Sequence, residues 1–148
     1  MDDDRLIDAL DRLARAGVGI TTRAIAEGGA AADLTLPQWR ALIIVAESGM
    51  SGIRVGDLGR RLRLAAPGAS RLVRRLELRG LVIVTRDAPD RRTAIVRGTD
   101  AGRALWTAVT QRRRGLIAEA LAKAETVAAV ADVDVFLGAI AEVLVENA

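Results

Sequence analysis

Pro67, Gly68, Ser70, Arg71, Arg74 and Arg75 crowd into one short stretch of the segment LAAPGASRLVRRLELRG, residues 64–80. Ala69, Leu72, Val73 and Leu76 fall among them at spacings of three and four. The stretch therefore predicts a helix, about 67–79, with an apolar side turned inward and Ser70, Arg71, Arg74 and Arg75 on the outward side. A cationic helix fits the major groove of DNA, where a guanidinium can bridge the O6 and N7 of guanine. Arg71 or Arg74 is the candidate for a guanine edge, and Ser70 for a phosphate or a base edge. Arg75 and Arg79 could bind phosphate or pair with Glu77 or another acid. The competing reading of all of them is a solvated helix face.

A second cationic probe follows. Gly80 stops the helix as a residue suited to the left-handed C-terminal position. Residues 81–86 are rich in β-branched side chains and 93–97 make a matching partner, which predicts a two-stranded ribbon. Its tip is Asp87-Ala88-Pro89-Asp90-Arg91-Arg92. Arg92 is the candidate minor-groove reader, with Asp90 holding its guanidinium and Arg91 on the backbone. A polar Pro-Asp turn is the alternative, though a plain turn has no need of two adjacent arginines.

The charge distribution points the same way. The net charge is only +3, but residues 54–114 hold 16 Arg against five acids, and the remainder is acidic on balance. A central cationic block flanked by acidic ends implies a polyanionic partner, and nucleic acid is the commonest. The chain has no Cys and no His. Disulfides, thiol sensing and the usual zinc sites are excluded, as are Ser-His and Cys-His nucleophiles. Carboxylate or lysine chemistry is what remains for an enzyme; Lys123 is the one lysine, and no tight carboxylate group stands out. No cofactor is expected. The acidic start and the charged C-terminal segment lack the pattern of a signal peptide or a membrane span, which predicts a cytoplasmic protein with no membrane partner.

The elements that must position these probes are mostly helical. Residues 3–26 carry Leu6, Leu10, Leu13 and Gly17 on one face, with Asp residues at the start to suit the helix dipole. Thr35 and Gln38 form a capping box with Pro37 in the first turn, opening a helix to about Glu47 that contains Trp39. Residues 48–52 read as a loop and 55–62 as a short helix. A brief turn at 63–65 leads to the basic helix, giving a helix-turn-helix. Thr99-Asp100 caps a long helix to about Lys123, and a last helix spans about 127–146. The amphipathic end helices fit mutual packing or a dimer seam. Arg112, Arg113 and Arg114 read as surface charge, with a role beside DNA as the minority alternative. Trp39 and Trp106 read as core or pocket-lining.

Three segments, Leu34 to Leu42, Ser70 to Val82, and Asp90 through Arg103, resemble in order and spacing those of the multiple-antibiotic-resistance regulator (MarR) family of winged helix-turn-helix transcription factors. The resemblance covers essentially the whole chain. It implies a mainly α fold with a small β-wing. Residues 1–34 would form an N-terminal dimerisation helix, 35–98 the winged helix-turn-helix, and 99–148 the C-terminal dimerisation helices. It also implies a homodimer that binds double-stranded DNA at a palindromic operator, represses transcription, and releases DNA when a small, often aromatic, effector binds. The chain departs from the family pattern at Gly98, where an apolar residue is usual, and the expectation is a looser wing base. It departs again at Ala65-Ala66-Pro67-Gly68, where the usual Ser or Thr cap is missing, so that free amides could be left for phosphate. A helical dimeric protein-interaction module with an incidental basic surface is the alternative function.

Overall fold

The structure is a computed structural model that describes residues 3–28, 33–86, 93–123 and 137. The chain divides into two units, residues 1–116 and 117–148. Elements run in the order α1 (Asp3–Glu27), α2 (Leu36–Glu47), a 3-10 turn (Gly49–Ser51), β1 (Ile53–Arg54), α3 (Val55–Arg61), α4 (Ala66–Leu78), β2 (Val82–Arg86), β3 (Ala94–Gly98) and α5 (Asp100–Lys123). The expected helix over 127–146 and the ribbon tip at 87–92 lie outside the described residues, apart from helical Leu137.

Helix α2 starts where its capping box places it. The Thr35 hydroxyl accepts from the Gln38 N–H at 3.4 Å, and the Gln38 side chain accepts from the Thr35 N–H at 2.9 Å. Trp39, Leu42 and Val45 follow at helical spacing and are each 1% exposed. They form the centre of a core that takes in Leu58 and Leu62 of the α3 region, Leu72, Val73 and Leu76 of α4, Val82 and Val96 of the sheet, and Leu105 and Val109 of α5. Trp39 is thus a core residue. Its indole N–H has no hydrogen-bond partner among the described residues, so the ring is held there by apolar packing against the cost of a buried unpaired donor.

Two-strand pairing is too simple a description of the ribbon. β3 pairs with β2 in antiparallel register, Val82 opposite Gly98 through Arg86 opposite Ala94. Its other edge takes up Ile53 and Arg54, opposite Val96 and Ile95, giving a three-stranded sheet of order β1-β3-β2. A two-residue strand has no period for a pattern to reveal, so Ile53 and Arg54 take no assignment from sequence, between the loop at 48–52 and the helix at 55–62.

Helix α1 behaves differently along its length. Ala24 and Ile25 are buried in the core, whereas Ile7, Leu13 and Val18 are 62%, 54% and 56% exposed. Gly17 and Gly19 have open space where a Cβ would stand. Of the face read from sequence, Leu10 is half-buried while Leu13 and Gly17 are exposed.

Where α1 ends, Glu27 accepts from Arg23 Nε at 2.7 Å and from Arg112 Nε of α5 at 2.5 Å. Arg112, read from sequence as surface charge, is an interhelical ion-pair partner. Arg23 first, then Arg112, holds the Glu27 carboxyl below its ordinary value of 4.5. A lowered folded-state pKa contributes stability that is present above the unfolded value and is lost as pH falls through the folded one. Salt and exposure keep the effect small. Glu27→Gln is expected to flatten the fall of Tm with acidification between about pH 5 and 3 at low salt. Thermal melts across that range check this, and a slope identical to wild type would show that the pair contributes nothing.

Candidate nucleic-acid interface

Helix α4 is fixed from beneath. Ala69, Leu72, Val73 and Leu76 are buried, so the other side must face out. Ser70, Arg71, Arg74 and Arg75 are exposed there, as is Pro67, while Gly68 is half-buried. Among the described residues no acid pairs with Arg71, Arg74 or Arg75. Arg79 is half-buried and engaged by a neighbour, which sets it apart from that exposed row.

The turn before α4 is tight. Arg63 adopts φ +53°, and the amides of Arg63 and Leu64 return to the carbonyls of Arg60 at 3.1 Å and Gly59 at 2.9 Å. A non-glycine residue in the left-handed region is strained by about 1–3 kcal/mol, a cost borne to bring α3 and α4 into a helix-turn-helix. Ala65 offers no side-chain cap. Gly68 and Ala69 both donate to the Ala65 carbonyl, at 2.8 and 3.1 Å. The Gly68 amide is therefore turned into the helix, and Pro67 has no N–H, which leaves the Ala66 amide as the first-turn donor to which the missing Ser or Thr cap is relevant.

The C-terminal end of α4 is closed by Gly80 at φ +68°. Gly80 donates to Glu77 O at 2.8 Å, and Leu81 donates to Leu76 O at 3.0 Å. This paired return is a Schellman turn, in which the left-handed residue spares glycine the Cβ penalty. Leu76 and Leu81 are both buried, the apolar contact that accompanies such turns. The chain then leaves in the direction of β2.

β2 and β3 carry the wing away from α4. Arg97 of β3 donates through Nε to Met50 O at 3.0 Å and through Nη1 to the Thr85 hydroxyl, tying β3 to β2 and to the 3-10 turn. Asp90, Arg91 and Arg92 lie outside the described residues. The base of the wing is not loose at Gly98. The Gly98 carbonyl accepts from Arg103 Nη1 at 2.5 Å, and Arg103 also pairs with Asp100 at 2.5 Å. A main-chain acceptor supplies the fastening that an apolar side chain was expected to give.

Thr99 joins the end of α4 to the start of α5. Its hydroxyl donates to Gly80 O at 2.6 Å and accepts from Gly102 N at 3.0 Å, and its N–H donates to Leu81 O at 3.2 Å. Gly102 sits so close that a Cβ on it would lie 2.0 Å from the Leu81 carbonyl oxygen.

Between α3, α4 and the sheet lies a cleft of about 560 Å³ lined by Arg54, Asp57, Ser70, Arg74, Glu77 and Arg86 among others. Ser70 and Arg74 were read as site residues from sequence; Arg54 and Arg86 were not. Arg86 could have been found from the period of two along β2, which puts it on one face with Val82 and Val84. Arg54 carries no such signal. Among the described residues no ion pair joins Glu77 to Arg74 or Arg75. Its Oε1 accepts from the Val84 N–H of β2 at 3.1 Å. The described residues contain no cluster of acids able to hold a metal and no helix long and apolar enough to cross a membrane.

The family model described as MarR family matches residues 32–93, a span that takes in α2 through β2 and ends before β3. The transcriptional activatory protein BadR of Rhodopseudomonas palustris is 35% identical over 91 residues, covering 61% of this chain and 50% of that protein. The chain spans half or less of the length of the curated relatives it matches. Among solved structures, RV1404 from Mycobacterium tuberculosis is 27% identical with a TM-score of 0.77 and 94% of each chain covered. CouR from Rhodococcus jostii RHA1 bound to p-coumaroyl-CoA is 22% identical, TM-score 0.69, covering 96% of this chain and 90% of that one. The transcriptional repressor CouR bound to a 23-mer DNA duplex has the same TM-score at 23% identity, with 92% and 89% covered. The CouR likenesses establish the shared winged helix-turn-helix fold.

Proposed function

Residues 32–93 match the model of the MarR family, and from that premise we propose that this protein is a sequence-specific, double-stranded-DNA-binding transcriptional regulator. The observation that carries the reading is the exposed row Ser70, Arg71, Arg74 and Arg75 on a helix whose opposite side is locked into the core. In this role Pro67, Gly68 and Ser70 sit at the groove edge, Arg71 and Arg74 read guanine, and Arg75 binds phosphate. Asp90, Arg91 and Arg92 act at the wing tip, with Arg92 in the minor groove.

The protein acts as a homodimer. Exposed Ile7 and Val18 on one side of α1, and exposed Leu13 on another, offer apolar surface that a second copy would cover, with residues 1–34 and 99–148 as the dimerisation parts. Two recognition helices about one DNA turn (~34 Å) apart then meet a palindromic operator. The protein represses transcription and lets go when a small aromatic effector favours a spacing that misfits the groove; the binding of p-coumaroyl-CoA by CouR supports an effector of that class. Activation is the second reading, favoured by the description of the BadR relative as an activatory protein.

The test is a footprint of the purified protein on genomic fragments, repeated over a salt series. The expected result is a two-fold symmetric protected site whose affinity falls steeply with salt, and Arg92→Ala should weaken it without lowering Tm. Absent or salt-insensitive binding would favour the protein-interaction module, and unchanged binding by Arg92→Ala would remove the wing tip from the interface. A reporter driven by the footprinted promoter, with and without the protein, separates repression from activation.

A further inference from the structure

β2 is an edge strand among the described residues, where the order β1-β3-β2 leaves one of its sides without a strand neighbour. In an antiparallel ladder the backbone groups of successive residues point alternately toward the partner strand and away from it. Val84 lies opposite Val96, and its N–H points away from β3, toward α4. There the Oε1 of Glu77 accepts it at 3.1 Å.

The placement of that carboxylate is unfavourable on two counts. Glu77 lies in the last turn of α4, where the helix dipole disfavours negative charge. It also lines the same cleft as Arg54, Arg74 and Arg86, on a surface suited to a polyanion, where it repels phosphate. Glu77 is exposed, so burial does not account for it. What the side chain does is bridge the recognition helix to the wing, three residues beyond Arg74.

We propose that Glu77 is a positioning residue, a strut that sets the wing's angle to α4 so that the two probes enter adjacent grooves together. This rests on the DNA-binding reading of α4 and the wing. Holding both probes in the bound arrangement before encounter spares the ordering cost on binding. Arg97 holds the two strands to each other, and helix meets sheet at the Schellman turn and through the core, where Leu72, Val73 and Leu76 share a cluster with Val82 and Val96. Glu77 adds a polar tie at Val84, further out along β2, where it resists a swing of the wing about those inner contacts.

The experiment compares Glu77→Ala with Glu77→Gln, which keeps an oxygen acceptor but no charge. Loss of a charge-assisted bond in Glu77→Ala should weaken operator binding about tenfold. Minor-groove protection from hydroxyl radical at the wing should be lost, while protection of guanine N7 under α4 persists. Glu77→Gln should keep both protections and bind at least as well as wild type. Equal losses in the two variants, or wing protection retained in Glu77→Ala, would overturn the strut. If the wild-type protein protects no DNA, the DNA-binding reading fails by itself, and the strut is then decided by amide exchange at Val84. Exchange there should be at least about fivefold faster in Glu77→Ala than in Glu77→Gln; equal rates would overturn it. Alanine at an exposed helical position leaves no cavity and has high helix propensity, so folding is preserved.

Discussion

Replacing Arg71 and Arg74 together by alanine should cut operator affinity by roughly thirty- to a thousandfold, about 2–4 kcal/mol, while leaving Tm nearly unchanged. The two halves of that expectation come from the same geometry. Both guanidiniums are exposed and meet no acid among the described residues, so the folded protomer loses no pairing when they go. Surface changes of this kind shift stability by less than about 0.5 kcal/mol. The affinity lost is the whole of what the guanidiniums make with DNA. The single variants refine the assignment. A residue that reads a base loses more specific than non-specific affinity, whereas a phosphate contact lowers both alike and reduces the salt slope by about one. Binding isotherms for Arg71→Ala and Arg74→Ala on operator and unrelated DNA, at two salt concentrations, distinguish the roles. A double variant that binds the operator like wild type would remove α4 from the interface.

Gly102→Ala should destabilise the fold by about 2–4 kcal/mol, an overpacking loss at the upper end of the usual range. An ordinary exposed glycine in a helix interior behaves oppositely, since alanine there gains roughly 0.5–1 kcal/mol. The reversal of sign follows from the 2.0 Å separation between the added Cβ and the Leu81 carbonyl oxygen. The listener to that clash is main chain, with no flexible side chain to swing aside. Gly115, in the same helix, has open space at its Cβ and serves as the control. Urea unfolding at one fixed protomer concentration should place Gly102→Ala below wild type and Gly115→Ala at or above it. Two variants shifting together would show that α5 can slide away from Leu81 at little cost.

The parts that sequence revealed are those governed by local rules. The period of α4 named Ala69, Leu72, Val73 and Leu76, and these are its buried residues. Thr35 with Gln38, and Gly80, marked helix ends through chemistry confined to a few neighbouring residues. What stayed hidden depends on groups distant along the chain. Glu77 reads as one acid among arginines until Val84 is seen opposite it, seven residues on. β1 is too short to show a period, and Arg54 enters the cleft only once β1 has joined β3. The apolar face of α1 was legible, but periodicity tells which residues share a face and not what covers it. The missing cap at Ala65 suggested open amides, and the backbone closes one of them, that of Gly68, on Ala65 O.

The junction of Gly80, Leu81, Thr99 and Gly102 has a mechanical consequence. Two hydrogen bonds and one close contact leave no slack between the start of α5 and the end of α4, so a movement that shifts the 13-residue α4 together with its packing would use that point as its fulcrum. At 1.5 Å per residue its arm is roughly 20 Å long. A tilt of about 10° at the fulcrum moves the far end, near Pro67, by some 3.4 Å, which is the rise of one base pair along a DNA strand. The leverage is built into the length of α4, and, on the DNA-binding proposal, a small rotation delivered at Thr99 would be enough to put Ser70 and Arg71 out of step with the base proposed for them.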